Sequence, residues 1–403
     1  MNVCITGVGA VTPVGATAAD FHRGLLAGDS GICLLDQPEY DGLQTRLAAT
    51  VDIEGRLDRM TGRTLERVQR LALVAAREAW QQAKAVDVEP DRLAVVIGSG
   101  IGGARAVPDQ VMVMRERGPR LLNPYLMPVL MPNASAASVA LDLGARAGVH
   151  TPVSACASGA EAIAVGLDLL RLNRADVVLA GGAEACLHPM TLAGFAQLRV
   201  LSCRESDPAS ASRPFDKARD GFVLGEGAGI MVLERPEHAE ARGAEVLGTL
   251  LGAGITSDAR HMIAPDPSGH GAARSIELAL RDAGVTAADV GHVNSHGTST
   301  LVGDRAEARA LGRALPGHRP AVTATKSCTG HLLGASGAIE AVATVLALRD
   351  GLIPPIRNLD QVDDEIDLDL VRARPRPLAH DVALSTSLGF GGHNAALVFG
   401  RAQ

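Results

Sequence analysis

The sequence predicts an α/β protein built from two similar halves. Apolar strand-like runs alternate with helical stretches along the whole chain, as buried parallel strands covered by helices do. At 403 residues the chain is too long for one simple layered core. Two segments also share one design: VHTPVSACASGAEAIAVGLDLLR and RPAVTATKSCTGHLLGASGAIEAVATVLALR each read as strand, small-residue turn and Ala-rich helix. The halves divide as residues 1–243 and 244–403.

In the first half, residues 1–14 read as a buried strand ending in a Gly/Pro turn. Residues 17–27 are helical, with Thr17 as N-cap. Residues 28–62 read as irregular, and 63–84 as a strong amphipathic helix with Val68, Leu71 and Val74 inward. A strand at 93–99 follows, then a Met- and Pro-containing insertion at 105–130, a candidate lid or dimer face. A helix at 133–143 leads to a β-prone run at 149–153, a bend of small residues, and a helix reaching Leu170. Strands at 177–179 and 229–234, and a helix at 236–243, complete this half.

The second half repeats the alternation. Strands are read at 244–255, 290–296, 321–325, 383–386 and 395–399, and helices at 271–283, 303–314 and 338–349. LGFGGHN, residues 388–394, is a Gly-rich hairpin.

Composition narrows the function. The net charge of −7 argues against nucleic acid as main partner. No apolar run is long enough to span a bilayer. The N-terminus lacks the basic segment of a signal peptide. Six scattered cysteines without CxxC pairing argue against a disulfide or metal framework and for a reducing cytoplasm. Neither GVGAVTPVG nor SGIGG has the full dinucleotide-loop spacing.

Chemistry concentrates at three places. Cys156 sits at the strand–helix bend, where the positive end of a helix dipole would favour thiolate. The bland alternative is a small core residue. Cys328 is its one rival, read as occupying the matching bend of the second half. His296, in NSHGTST, is a candidate donor; the alternative is a loop histidine paired with Asp304. His331, just after Lys326, is a second donor or a helix-start histidine. One nucleophile and two donors aimed at a developing oxyanion suit carbon–sulfur and carbon–carbon chemistry.

These motifs together reach a family. The sequence resembles the β-ketoacyl-acyl-carrier-protein synthases over essentially its whole length, most of all the type II elongating enzymes. The matching stretches are VCITGVGAVTPVG, SACASGAEAI, AGGAEA, SRPFDKARDGFVLGEGAG, NSHGTSTLVGDRAEARAL, TKSCTGHLLGASGAIEA and GFGGHNAALVF, in the family's order. The resemblance implies a thiolase-like fold of five alternating α-β-α-β-α layers, forming a homodimer or a dimer with a related subunit. By position it implies Cys156 as nucleophile, His296 and His331 as the two histidines, and Lys326 as an electrostatic partner. It implies Phe390 as a gate whose backbone N–H joins that of Cys156 in an oxyanion hole. Thr298 and Thr300 match positions that hold the pantetheine arm. Asn294, Glu307, Glu340 and Ser385 match a structural monovalent-cation site found in some members.

The activity so implied is decarboxylative condensation of an acyl-cysteine with malonyl-acyl-carrier protein, in fatty acid or polyketide elongation. No permanently bound cofactor is implied, because substrates arrive on the carrier's phosphopantetheine. Carriers are acidic, so Arg63, Arg67, Arg70 and Arg204 are candidate docking residues; the alternative is a solvated helix face. Two positions depart from the family pattern: Cys328, where methionine is frequent, and Leu388, where phenylalanine is common. Two other functions compete. A thiolase acting on coenzyme A thioesters needs a second cysteine near the C-terminal Gly-rich loop, which here carries His393. A chain-length-factor-like partner lacks the nucleophile, which here is present.

Overall fold

A computed structural model describes residues 1–58, 64–85 and 87–402. Eleven strands form one hydrogen-bonded sheet, but its middle is a narrow seam. Val3–Val11 meets Gly248–Ser257 through only three residue pairs, Val3 with Leu250, Cys4 with Thr249 and Ile5 with Gly248. On one side of the seam lie Val3–Val11, Gly227–Glu234, Val177–Glu184, Leu93–Gly98 and Gly148–His150, in that order. On the other lie Gly248–Ser257, His393–Arg401, Val382–Gly389, Val290–Asn294, Ala321–Thr323 and Asp369–Leu370.

Two helices, Ser158–Arg171 and Ser336–Asp350, are sandwiched between these sheet halves and touch strands of both. Their sequences explain the placement. Every residue from Ser336 to Leu348 is buried, so this helix has no solvent face and, Glu340 and Thr344 apart, is made of small or apolar residues. The two helices also approach closely. A Cβ on Gly159 would lie 2.9 Å from the Ala338 nitrogen, and one on Gly337 2.9 Å from the Ala160 nitrogen.

Arg67–Ala83 and Ala134–Leu143 cover the outside of the first sheet half. His270–Ala283 and Leu301–Ala314 cover the outside of the second. The result is helix, sheet, helix, sheet, helix, with one apolar cluster around the central helices and one under each outer helix layer. Among the described residues no helix is long and apolar enough to cross a membrane.

Several local expectations change. The stretch 28–62, read as irregular, contributes Ile32–Leu34 and Leu47–Ala49, which join Leu224–Gly225 in a small three-stranded sheet. The strand read at 149–153 is only Gly148–His150. The amphipathic helix begins at Arg67, capped by the Glu66 side chain.

Candidate active site

The parallel strands of the second half set most of the site. Val290–Asn294 lies between Ala321–Thr323 and Val382–Gly389, parallel to both. Just past the carboxyl ends of these strands come His296, Lys326 and Phe390 respectively. Carboxyl ends of parallel strands are where open α/β sheets place ligands. Cys156 arrives from the first half, on a single turn, Ala155–Ala157, that leads into Ser158–Arg171. His331, from the second half, is held by the first: its N–H donates to the Val223 carbonyl (2.7 Å) and its own carbonyl accepts from Gly225 N–H (2.9 Å).

The three side chains meet. Cys156 Sγ lies 3.0 Å from His331 Nε2, and the His296 and His331 rings stand edge to face with centroids 5.4 Å apart. All three are buried yet line one cavity of about 560 Å³, together with Thr298, Thr300, Leu388 and Phe390. The backbone N–H groups of Phe390 and Cys156 are near enough to the sulfur to favour its charged form.

Behind the histidines is a buried scaffold. Lys326 Nζ donates to His296 Nδ1 (3.2 Å), to the His296 carbonyl (2.6 Å) and to Glu340 Oε1. These use all three hydrogens of the ammonium group. Glu307 accepts from the backbone N–H groups of His296 (2.7 Å) and Gly297 (2.8 Å) and from Thr386 Oγ1 (2.7 Å). Asp304, the alternative partner of His296, instead accepts from the N–H groups of Phe215 and Ser299 and faces Arg219. It thereby ties SRPFD to the turn carrying Thr298 and Thr300, whose hydroxyls are 3.0 Å apart.

Electrostatics overturn one expectation. Burial pushes the Cys156 thiol up to about 12, while Lys326 and the two N–H groups pull the other way. Desolvation of the charged form therefore outweighs the Lys326 charge and the two N–H groups. Burial, reinforced by Lys326, holds His296 and His331 well below the ordinary histidine value, so both rings are neutral.

The rival cysteine is also corrected. Ala155 and Leu333 both have positive φ, 51° and 42°, and each precedes an ASG triplet, at 157–159 and 335–337, that starts the following helix. Backbone geometry therefore matches Cys156 with Gly334, not with Cys328. Cys328 lies in the four-residue helix Lys326–Thr329 and does not line the cavity.

The docking residues fare differently. Arg67 is turned inward: its guanidinium forks onto Glu226, which is almost fully buried, and also reaches the Val51 carbonyl. It is an internal ion pair rather than a docking residue. Arg63 lies outside the described residues. Arg70 and Arg204 are partly exposed, and Arg204 donates to the Ala218 carbonyl.

The four cation-site positions also differ from one another. Asn294 Oδ1, Glu340 Oε2 and Ser385 Oγ are buried without a hydrogen-bond partner among the described residues. Glu307 has both oxygens occupied.

Sequence reading missed the aromatic wall. Phe222 stands edge-on to His331 at 5.1 Å, and Phe195 bridges Phe222 (5.6 Å) and Phe390 (6.4 Å). Three of only six phenylalanines thus gather at this site. Their scarcity elsewhere was the signal.

The chain matches the family model for the N-terminal domain of beta-ketoacyl synthases over residues 1–239 and that for the C-terminal domain over 247–360. The chain belongs to the β-ketoacyl synthase family. It is similar to 3-oxoacyl-[acyl-carrier-protein] synthase 2 of Mycobacterium tuberculosis H37Rv, 46% identical across 99% of this chain and 97% of that one. The enzyme of that name from Synechocystis is 43% identical across 100% and 98%. A β-ketoacyl synthase from Burkholderia phymatum superposes with a TM-score of 0.92 at 34% identity, each chain fully covered. A type II polyketide ketosynthase, solved with its acyl-carrier protein, gives 0.93 at 30% identity, covering 100% of this chain and 99% of that one. The five layers described above are thus the thiolase-like fold of ketosynthases, and the protein is an acyltransferase of the condensing type.

Proposed function

We propose that Cys156 is the acyl-accepting nucleophile and that His296 and His331 serve the malonyl half of the condensation. The observation that carries this reading is the meeting of one thiol, two neutral imidazoles and two backbone N–H groups at the floor of one cavity.

In the first step the Cys156 sulfur attacks the thioester carbonyl of an acyl-carrier protein. A new carbon–sulfur bond forms, the pantetheine thiol leaves, and it takes up the proton that Cys156 gives up. The N–H groups of Cys156 and Phe390 hold the tetrahedral oxyanion. In the second step malonyl-carrier protein enters past Thr298 and Thr300. Its carboxylate carbon–carbon bond breaks, carbon dioxide leaves, and the electron pair passes onto the thioester oxygen. The Nε2–H groups of the two histidines stabilise that enolate. Its carbon attacks the acyl-cysteine carbonyl, and collapse expels the Cys156 thiolate. The product is longer by two carbons. Phe390, on the hairpin beside the thiol, gates the change between the two substrates.

The acidic carrier leaves Arg63, Arg70 and Arg204 as docking candidates, with Arg67 withdrawn. Relatives solved with an acyl-carrier protein and with chain length factors support a carrier-dependent dimer. The unpaired cysteines support a cytoplasmic setting. Asn294 Oδ1, Glu340 Oε2 and Ser385 Oγ fit a hard monovalent cation, being oxygens left unpaired in the interior. Such an ion would supply counter-charge to Glu340.

The test is a reconstituted reaction with malonyl-carrier protein and a ladder of acyl-carrier primers. The expected result is a product of primer length plus two carbons, with release of carbon dioxide. Hydrolysis of the primers without elongation overturns the assignment.

A further inference from the structure

We propose that Ser336 is a positioning residue that holds His331 in the tautomer carrying its proton on Nε2. This deepens the reading above and rests on His331 acting as the enolate donor.

The inference comes from comparing the two matched turns. Each central helix opens with a buried serine, Ser158 or Ser336. Each serine oxygen accepts a backbone N–H from four residues earlier: Ser154 N–H to Ser158 Oγ at 2.9 Å, and Leu332 N–H to Ser336 Oγ at 3.0 Å. The two hydroxyl protons then go to different places. Ser158 Oγ donates back to the Ala155 carbonyl at 2.7 Å. Ser336 Oγ lies 2.9 Å from His331 Nδ1. Among the described residues His331 Nδ1 is the only acceptor within reach of the Ser336 hydroxyl proton, so that proton is donated to Nδ1.

A neutral imidazole has one N–H and one bare nitrogen, and whichever nitrogen accepts a hydrogen bond fixes the proton on the other. Nδ1 accepting from Ser336 therefore places N–H at Nε2, the nitrogen 3.0 Å from Cys156 Sγ. Lys326 does the same for His296 through Nδ1. Cys156 Sγ and one nitrogen of each histidine lie within 4.8 Å of one another, a spacing that would suit a soft metal ion. A ring with hydrogen on Nε2 offers no lone pair there. The two bonds behind the rings make this trio a pair of donors around a nucleophile.

The experiment follows two partial reactions in the full-length protein: release of labelled carbon dioxide from malonyl-carrier protein, and acyl loading by intact mass. Ser336→Ala should slow decarboxylation about tenfold and leave loading within about twofold. Ser336→Thr, which keeps the hydroxyl, should recover most of the rate. Ser158→Ala removes the same backbone cap without touching a histidine, and its two rates should keep their wild-type ratio. Equal loss of both steps in Ser336→Ala, or a selective decarboxylation loss in Ser158→Ala, overturns the inference. Nitrogen-15 spectra of histidine-labelled wild type test the tautomer without relying on a serine variant, His331 being assigned by its absence in His331→Ala. A protonated Nδ1 on His331 overturns the inference. His331→Ala separates the two levels. If it decarboxylates normally, the site reading itself fails; if it does not while Ser336→Ala is unaffected, only the role of Ser336 fails.

Discussion

The turn that opens Ser158–Arg171 and the turn that opens Ser336–Asp350 follow the same backbone path and do opposite jobs. Both carry a positive-φ residue, then the bend residue, then Ala-Ser-Gly. At the first bend the residue is Cys156, pointing into the cavity. At the second it is Gly334, pressed against the first half of the molecule. Its N–H donates to Glu184 Oε2 at 3.1 Å. That carboxylate also accepts from Gly100 N–H at 2.7 Å, and burial pushes it up to about 7. One copy of the turn presents chemistry and the other locks the halves together. The second turn still serves the first, because His331 reaches Cys156 from just before it.

Removing the chemical side chain should give the largest effect. Cys156→Ala is expected to lower acyl-enzyme formation on the order of a thousandfold or more, read as a missing acyl mass on the intact protein. Cys328→Ala should load normally. Burial pushes the Cys328 thiol up to about 11, and its sulfur faces Ser327 rather than the cavity. Acylation that survives in Cys156→Ala and disappears in the double variant would transfer the nucleophile to Cys328.

The locking turn should respond in stability. A Cβ on Gly334 would stand 2.3 Å from the Gly100 nitrogen and 2.8 Å from Glu184 Oε2. Backbone cannot yield as a flexible side chain does, so Gly334→Ala is expected to cost about 1–3 kcal/mol in denaturant unfolding. A change under about 0.5 kcal/mol would mean that the turn adapts and that the two bends differ less than their packing suggests.

The same two turns explain what the sequence made legible. Strand, turn and helix alternation gave the layers, because apolar periodicity is local. Cys156, His296 and His331 were legible because each lies in a motif whose small neighbours leave room for a substrate. The pairing of Cys156 with Cys328 went wrong because it aligned chemistry with chemistry. The true partner, Gly334, is matched by backbone dihedrals and by the shared Ala-Ser-Gly, and has no side chain to attract attention. Arg67 was misread because its partner Glu226 lies far away in sequence, so a buried ion pair looked like a surface charge. The thiolate expectation failed similarly. A helix dipole is visible in the local sequence, while the apolar surroundings that bury the thiol include Phe222 and Leu333, which come from separate parts of the chain.

The smallest expected effect is an absence, and it separates the two histidines from an ordinary surface pair. Free histidine gains its proton near 6.5, and both His296 and His331 are held well below that value by burial and by the neighbouring Lys326. The sign follows directly. A lowered value in the folded protein means that acid protonates these rings only well below the ordinary range. Malonyl decarboxylation that depends on two neutral Nε2–H donors should therefore stay flat as pH falls from about 8 to about 6. Acyl loading should respond over the same range, because the Cys156 thiol lies far on the protonated side and its thiolate fraction falls with each step toward acid. Measured separately, the two steps should diverge in slope. A decarboxylation rate that breaks near 6.5 would show a histidine exposed enough to titrate normally, and the buried-donor account of the second half of the site would fall with it.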